Sequence, residues 1–159
     1  MGTILIRVDS ADHIGMGHLT RCLDLAAYIF KQGLNPVFIT KEHTTKSIVY
    51  DNGFECIIIS KNQSKALKEI LFIKSKYKSK IMILDINYCL TNEQSVEYQN
   101  YLEALKKMNF YLITFEVLTN TVFPADIVII PYVGADLLSI QKNIESQYLL
   151  GPKFFPMSK

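Results

Sequence analysis

A chain of 159 residues, 49% of them hydrophobic, is long enough to form one domain with a core of ordinary size. Its net charge of only +2 makes nucleic acid or an anionic membrane surface an unexpected partner. No apolar run reaches about eighteen residues, and the first residues lack the pattern of a signal peptide. We therefore expect no membrane span and a cytoplasmic protein.

Strand and helix patterns alternate along the chain. Apolar runs predict six strands, at residues 3–8, 36–40, 54–60, 81–84, 110–114 and 127–130. Amphipathic spacing predicts four helices between them, at residues 18–32, 44–52, 63–78 and 92–108. Beyond Gly134 the patterns weaken to a short helix near residues 136–142 and an apolar stretch at 148–150.

The first helix carries six apolar residues on one face, spaced to pack against a sheet: Leu19, Cys22, Leu23, Ala26, Ala27 and Phe30. Gly33 and Gly53 follow the first two helices and are typical of helix C-termini. The third helix is rich in lysines, which form either a solvated face or an anion-binding one.

Three cysteines, Cys22, Cys56 and Cys89, are odd in number and far apart in the sequence. Without a Cys-x-x-Cys pair they indicate neither a structural zinc nor a disulfide framework. Cys22 on an apolar helix face and Cys56 in an apolar strand are predicted to be small core residues. This pattern fits a reducing compartment.

The alternation of strands and helices predicts an α/β fold. We expect a Rossmann-like, doubly wound, mainly parallel six-stranded sheet, with the first and fourth strands adjacent at the switch point. This domain is predicted to span residues 1–150. Residues 151–159 contain two prolines and no periodicity, so we predict a linker toward a further domain.

The stretch Ile-Gly-Met-Gly-His-Leu-Thr-Arg, residues 14–21, joins the first strand to the first helix. Gly15 and Gly17 permit a tight turn whose N–H groups can hold an anion. The stretch lacks the third glycine of a dinucleotide fingerprint, the second strand ends without an acidic residue, and no Gly-Lys-Ser/Thr occurs. We therefore expect neither an NAD site nor a P-loop, and no cofactor.

His18 stands at the start of the first helix. The positive end of the helix dipole there favours a neutral imidazole, which can act as a general base. Asp9 follows the first strand and could orient the ring and stabilise its charged form. The alternative is that His18 caps the helix or bonds a neighbouring loop. Arg21 either contacts a phosphate or a sugar hydroxyl, or pairs with Asp9 or Asp85 and braces the loop.

Acidic residues follow three of the predicted strands, and they are Asp9, Asp85 and Glu116. Ligands of doubly wound sheets bind outside the carboxyl ends of the strands, so we expect these residues and His18 to converge on one edge. Tyr88, just after Asp85, offers a stacking surface or is ordinary loop structure.

The other two histidines, His13 and His43, either line the same edge or are exposed loop residues. The three histidines show no paired spacing of metal ligands, so no metal site is predicted.

Residues 7–26, with their Gly-x-Gly-His turn, closely resemble the opening of the nucleotide-sugar hydrolases of pseudaminic acid biosynthesis. These are the UDP-2,4-diacetamido-2,4,6-trideoxy-β-L-altropyranose hydrolases. Spore-coat polysaccharide proteins are similar, and the family is allied to the GT-B glycosyltransferases. The resemblance spans nearly the whole chain, with further matching segments at residues 83–88, 112–116, 125–128 and 148–154.

By this resemblance, His18 is the general base that activates water to attack the anomeric carbon and displace UDP with inversion. Asp9, Gly17 and Arg21 match the surrounding motif. The resemblance implies a UDP-linked amino sugar as substrate and no metal.

The chain departs from the family pattern at two positions. The family's acidic pair is Phe115-Glu116-Val117 here, and Ile86 follows Asp85 where the family commonly has histidine. A GT-B enzyme also has two such domains, and the second normally holds the nucleotide. We therefore expect this chain to be the N-terminal, sugar-side half, with little or no hydrolase activity alone. A C-terminal GT-B-like domain, a partner chain or a homodimer would complete it.

Two alternatives stay open. The chain is either a non-catalytic module that binds a sugar or a partner in polysaccharide assembly, or the acceptor domain of a GT-B glycosyltransferase. In the second case a sugar hydroxyl replaces water as the nucleophile, and the base chemistry is the same.

Overall fold

The computed structural model describes residues 2–9, 16–86, 92–115, 124–137, 142 and 144–156. Its strands are β1 (Thr3–Val8), β2 (Asn35–Thr40), β3 (Glu55–Ile58), β4 (Ile81–Asp85), β5 (Tyr111–Phe115), β6 (Ile127–Ile130) and β7 (Gln147–Leu150). Its α-helices are α1 (Gly17–Lys31), α2 (His43–Asp51), α3 (Gln63–Tyr77) and α4 (Asn92–Lys107). Short 3-10 helices lie at Ala135–Leu137 and Pro152–Phe154.

The chain divides into two compact units, and the first comprises Met1–Asn87 with Pro156–Lys159. Its four strands lie in the order β3-β2-β1-β4, and all three pairs are parallel. In the register, Ile6 lies beside Phe38 on one side and Ile83 on the other. The predicted adjacency of the first and fourth strands is therefore confirmed.

The core of the first unit is built from the strands and the inner faces of the helices. Leu5, Ile6, Phe38, Met82 and Leu84 are completely buried. β4 is buried along nearly its whole length, as its continuous apolar run predicted.

Helix α1 is rotated relative to the predicted apolar face. Its buried residues are Leu19, Arg21, Cys22, Ala26 and Ile29. Phe30, assigned to the buried face from the sequence, is 57% exposed. The buried apolar residues Leu19, Cys22, Ala26 and Ile29 follow the spacing i, i+3, i+7 and i+10, and Arg21 is buried beside this stripe against a carboxylate described below.

The second unit, Tyr88–Phe155, contains helix α4 and a parallel three-stranded arrangement in the order β5-β6-β7. Asp126 links its elements. The carboxylate accepts from Lys106 Nζ at 2.8 Å and from the Leu112 backbone N–H at 2.7 Å.

The described residues contain seven strands, so the predicted number of six is wrong by one. The additional strand, β7, is short and has no buried residue. The sequence shows an apolar stretch at residues 148–150, but three residues are too few to predict a strand, although β7 pairs with β6 along four residues. Of the short helix predicted near residues 136–142, the structure describes a 3-10 turn at Ala135–Leu137, and residues 138–141 lie outside the described residues.

Candidate functional site

The candidate site lies at the carboxyl ends of β1 and β4 in the first unit. Val8 pairs with Asp85 in the parallel register, so Asp9, the next residue, begins the connection beside the end of β4. Helix α1 starts at Gly17 and places His18 in its first turn. Residues 10–15, including Gly15, lie outside the described residues.

His18, Arg21 and Asp85 form one cluster of side chains. His18 Nδ1 is 2.7 Å from Asp85 Oδ1. Arg21 binds the same carboxylate with two nitrogens, Nε to Oδ2 at 2.8 Å and Nη2 to Oδ1 at 2.7 Å. The structure thus contains the pairing of Arg21 with Asp85, which was one of the alternatives for this residue.

The short contact with Asp85 assigns the proton on the His18 ring. An ionised carboxylate can only accept a hydrogen bond, so Nδ1 must be the donor. Arg21 Nη2 also lies 3.2 Å from Nδ1, but it donates to the same Oδ1 over a shorter distance. The two groups therefore converge as donors on one oxygen, and in the neutral form of the ring the second nitrogen, Nε2, carries the lone pair.

The Asp85 carboxylate is almost completely buried. Burial by itself raises its pKa, but the hydrogen bonds from His18 and Arg21 and the charge of Arg21 outweigh it. The pKa of Asp85 therefore lies below its ordinary value, and the carboxylate is ionised at neutral pH.

Cys22 is a third residue of α1 that contacts Asp85. Its Sγ lies 3.5 Å from Asp85 Oδ2, and the residue is completely buried, as predicted. Burial, followed by the charge of Asp85, raises the pKa of the Cys22 thiol well above its usual range. Cys22 is therefore a neutral thiol that donates weakly to the carboxylate.

The helical period explains why α1 supplies all three of these donors. His18, Arg21 and Cys22 have the spacing i, i+3 and i+4, which brings side chains to one side of a helix. That side faces the end of β4, so a single carboxylate meets three residues of one helix.

The expected pairing of Asp9 with His18 is corrected by the structure. Asp9 instead receives Arg7 through Nη1 at 2.6 Å and Nη2 at 2.5 Å. Thr40 Oγ1 and the Lys41 backbone N–H donate to its Oδ1 at 3.0 and 2.8 Å. Asp85 is the carboxylate that contacts His18, because it ends β4 at the edge of the sheet where α1 begins.

Charge and burial act on this second cluster as well. Burial alone raises the pKa of Asp9. The charge and hydrogen bonds of Arg7, with the donors at Lys41 and Thr40, have a larger opposite effect, so the pKa of Asp9 lies below its ordinary value. Lys41 is half-buried, and burial, then the charge of Arg7, lower the pKa of its ammonium group.

Gly17 leaves open space at the start of α1. Apart from its chain neighbours and the backbone of its own helix, a Cβ built on this glycine would meet no atom of the described residues within 4 Å. Packing against the described residues therefore does not require glycine here.

Two further predicted site residues, Tyr88 and Glu116, lie outside the described residues, like Gly15. Within the described part, no group of three or more histidine, cysteine, aspartate or glutamate side chains is placed to hold a metal ion.

The sequence reasoning missed Arg7 and Thr40 as partners of Asp9. A signal for Arg7 was present, because an arginine inside an apolar strand needs a buried acceptor, and Asp9 is two residues away on the same side of the extended chain. Thr40 comes from β2, and its register with β1 is not visible in the sequence.

The strand order, the parallel pairing and a polar cluster at the carboxyl ends of the strands define a Rossmann-like α/β protein. No protein-family model matches the sequence, and no curated protein matches it.

Solved structures narrow the fold to the GT-B type. The structure of MurG from Acinetobacter baumannii matches with a TM-score of 0.61 at 12% identity, over 81% of this chain and 41% of that one. A glycosyltransferase from Rickettsia africae matches with a TM-score of 0.53 at 20% identity, over 72% of this chain and 29% of that one. The chain thus has the fold of one GT-B-like half and spans less than half the length of either protein.

Proposed function

We propose that this chain is the sugar-side half of a GT-B-like nucleotide-sugar hydrolase in which His18 is the general base. The observation that carries the proposal is the 2.7 Å contact between His18 Nδ1 and the buried Asp85 carboxylate at the start of α1. This contact gives a histidine in a helix N-terminal turn a fixed ring and a defined tautomer.

The arrangement suits proton removal. With Nδ1–H held by Asp85, the lone pair on Nε2 is the group that takes a proton. When it does so, the imidazolium is stabilised by the neighbouring carboxylate, as in other carboxylate–histidine pairs. The His18 side chain is 16% exposed, so the ring is held by protein without being sealed from solvent.

Arg21 holds the same carboxylate. Its guanidinium binds Asp85 through two nitrogens and so fixes the carboxylate beside the His18 ring. The proposed role of His18 as a general base requires the neutral form of that ring.

The proposed reaction follows from the resemblance of residues 7–26 and from the GT-B-like fold. Water attacks the anomeric carbon of a UDP-linked amino sugar as His18 Nε2 accepts its proton. The bond between that carbon and the diphosphate oxygen breaks, and UDP leaves with the bonding electrons. Attack opposite the leaving group inverts the anomeric centre. A second GT-B-like half would hold most of the nucleotide.

Binding and turnover test the proposal separately. We expect UDP-2,4-diacetamido-2,4,6-trideoxy-β-L-altropyranose to shift the amide NMR signals of residues 16–22. In water labelled with oxygen-18, slow UDP release should place the label on the anomeric carbon of the sugar. The change His18→Gln should lower the rate of that release by roughly 10²- to 10⁴-fold, while the ligand should still shift the amide NMR signals.

His43 provides the matched control, because it also begins a helix beside a strand end but is exposed. His43→Gln should leave binding and release unchanged. Gly17→Ala should weaken binding, since the added methyl group fills the open space at the helix start. Absence of any shift on residues 16–22, or equal loss in both histidine variants, would refute the proposal.

The glycosyltransferase reading is the second candidate, and the fold shared with a Rickettsia africae glycosyltransferase favours it. In that reading His18 deprotonates a sugar hydroxyl, and UDP release requires an acceptor and leaves water-derived label out of the product. A non-catalytic module would bind the sugar without any His18-dependent release.

A further inference from the structure

The positive charge of this chain is concentrated on one segment. Residues 61–80 contain seven of the seventeen basic residues and only one of the fifteen acidic ones, Glu69. The segment therefore carries six net positive charges, whereas the whole chain carries two. A near-neutral total hides a strongly basic surface.

Helix α3 forms the centre of this segment, and its outer face mixes lysines with apolar side chains. Leu71 is 51% exposed and Phe72 is 70% exposed. The helix packs on the first unit through Ala66, Ile70 and Ile73, which lie on its other side. Phe72 therefore projects away from the core, one turn after Lys68 and one turn before Lys76.

Two concavities flank the exposed face of α3. The first, of about 550 Å³, lies between α3 and the strand β3, with Ile57 and Ile58 on its floor and Lys65, Lys68 and Lys76 around it. Glu69 also lines it, but the Glu69 carboxylate accepts the Ser60 backbone N–H at 2.7 Å.

The second concavity, of about 510 Å³, lies beside the C-terminal part of the helix and is lined by Leu71, Lys74, Lys78 and Lys80 with two serines. Both concavities thus combine apolar atoms with several ammonium groups. This combination matches an amphiphile that has an anionic head and an apolar tail.

We propose that α3 and its two flanking concavities, the α3 surface, bind the anionic face of a phospholipid bilayer. The lysines attract the negatively charged headgroups, and Phe72 and Leu71 enter the boundary between headgroups and acyl chains. None of the described helices is long and apolar enough to cross a bilayer, so the contact is peripheral. This inference does not depend on the proposed hydrolase activity.

Charge complementarity decides between the available occupants. A second copy meeting the same face about a two-fold axis would oppose lysine to lysine, which disfavours a homodimer there. Nucleic acid would satisfy the lysines, but its phosphate backbone gives no partner to the aliphatic side chain of Leu71. A bilayer surface satisfies both the charged and the apolar groups.

Vesicle flotation tests the inference. The chain should bind vesicles of 30% phosphatidylglycerol in phosphatidylcholine, fail to bind pure phosphatidylcholine, and be released at high salt. The triple change Lys65→Gln, Lys68→Gln and Lys76→Gln should weaken binding roughly hundredfold. The single change Phe72→Ser should weaken it roughly tenfold.

The matched control removes the same charge elsewhere, through Lys31→Gln, Lys46→Gln and Lys107→Gln, three exposed lysines outside the α3 surface. It should keep vesicle binding, and circular dichroism should show all variants folded because each replaced side chain is exposed. The inference is overturned if the control loses as much binding as the α3 triple, if Phe72→Ser binds as well as the parent, or if the chain ignores the anionic vesicles. It is equally overturned if a single-stranded RNA binds through the same lysines and the vesicles do not.

Discussion

Asp9 and Asp85 are two buried carboxylates at the ends of neighbouring strands, and their partners give them different roles. Asp85 faces α1 and holds the ring of His18, whose side chain stays partly exposed. Asp9 accepts hydrogen bonds from Arg7 on its own strand and from Thr40 and the Lys41 N–H at the end of β2. These contacts favour a structural role for Asp9, which ties β1 to β2 beneath the candidate site.

Removal of the Asp9 carboxylate tests this role. Asp9→Ala leaves the Arg7 guanidinium, which is 1% exposed, without its carboxylate partner. We expect a loss of about 3 kcal/mol in the free energy of unfolding, measured by urea denaturation. The control Asp51→Ala, at an exposed carboxylate, should change it by less than about 0.5 kcal/mol. A loss below about 1 kcal/mol for Asp9→Ala would contradict the structural role.

At the level of single residues, the sequence identified most of the groups that the structure brings together. The sequence predicted His18, Arg21 and Asp85 as site residues, and it offered Asp9 or Asp85 as the carboxylate that pairs with Arg21. Asp9 was suggested as the carboxylate that orients His18, but in the structure Asp85 is the carboxylate that contacts the ring. The actual partner is 67 residues away and is placed by strand register.

At the level of elements, α1 buries an ion pair beside its apolar stripe. The predicted face included Phe30, but the buried side includes Arg21 and Ile29 instead. A guanidinium bound through two nitrogens to a buried carboxylate is sufficiently satisfied to lie inside. The orientation that buries Arg21 also directs His18 at Asp85.

The helix ends show a second contrast. Gly33 and Gly53 follow α1 and α2 with φ values of 79° and 82°, which confirms them as residues of the C-terminal turns. The corresponding left-handed positions after α3 and α4 are occupied by Lys78, with φ of 50°, and Asn109, with φ of 58°. Lysine lacks the conformational freedom that glycine has in this region.

Replacement of Lys78 tests the strain at the end of α3. Lys78→Gly should raise the free energy of unfolding by about 0.5 to 1 kcal/mol, as measured by thermal or urea denaturation. Lys78→Gln removes the same charge but keeps the left-handed strain, so it should have little effect. Gly33→Ala should lower stability by about 1 kcal/mol, since its Cβ meets no atom within 4 Å and only the backbone conformation is strained. Equal effects of Lys78→Gly and Lys78→Gln would show that charge, not conformation, is responsible.

At the level of the whole molecule, charge distribution matters more than total charge. The net charge of +2 argued against an anionic surface as a partner, yet the α3 surface concentrates lysines beside exposed Leu71 and Phe72. The two buried carboxylates of the first unit are, in contrast, each matched by an arginine. In the first unit, the buried carboxylates are thus paired, whereas the lysines of the α3 surface form an exposed basic cluster.

The paired interior set gives the molecule a defined acid sensitivity. The pKa values of Asp9 and Asp85 are both lowered from the ordinary value of 3.8. Above that value the carboxylates are ionised in both states, and their contribution to stability is complete. As the pH falls below it, the unfolded chain binds protons first, so stability falls until the folded carboxylates are protonated too.

We therefore expect the free energy of unfolding to be flat from pH 7 to about pH 5 with respect to these two groups and to fall steeply below about pH 4. Urea denaturation at a series of pH values measures this. Asp85→Asn should be less stable than the parent at pH 6, and the difference should shrink by pH 3. A difference that stays constant between these pH values would show that Asp85 is not the responsible group.

Patterns in the sequence were sufficient to predict the alternating α/β fold, the bounds of nearly every element to within one or two residues, and the adjacency of β1 and β4. These properties depend on local periodicity and on the general rules of parallel sheets. The contacts of His18 with Asp85 and of Arg7 with Asp9, and the burial of Arg21, became visible in the folded chain alone. Each of these contacts depends on strand register and helix rotation, which are fixed by packing and ion pairing between residues far apart in the chain.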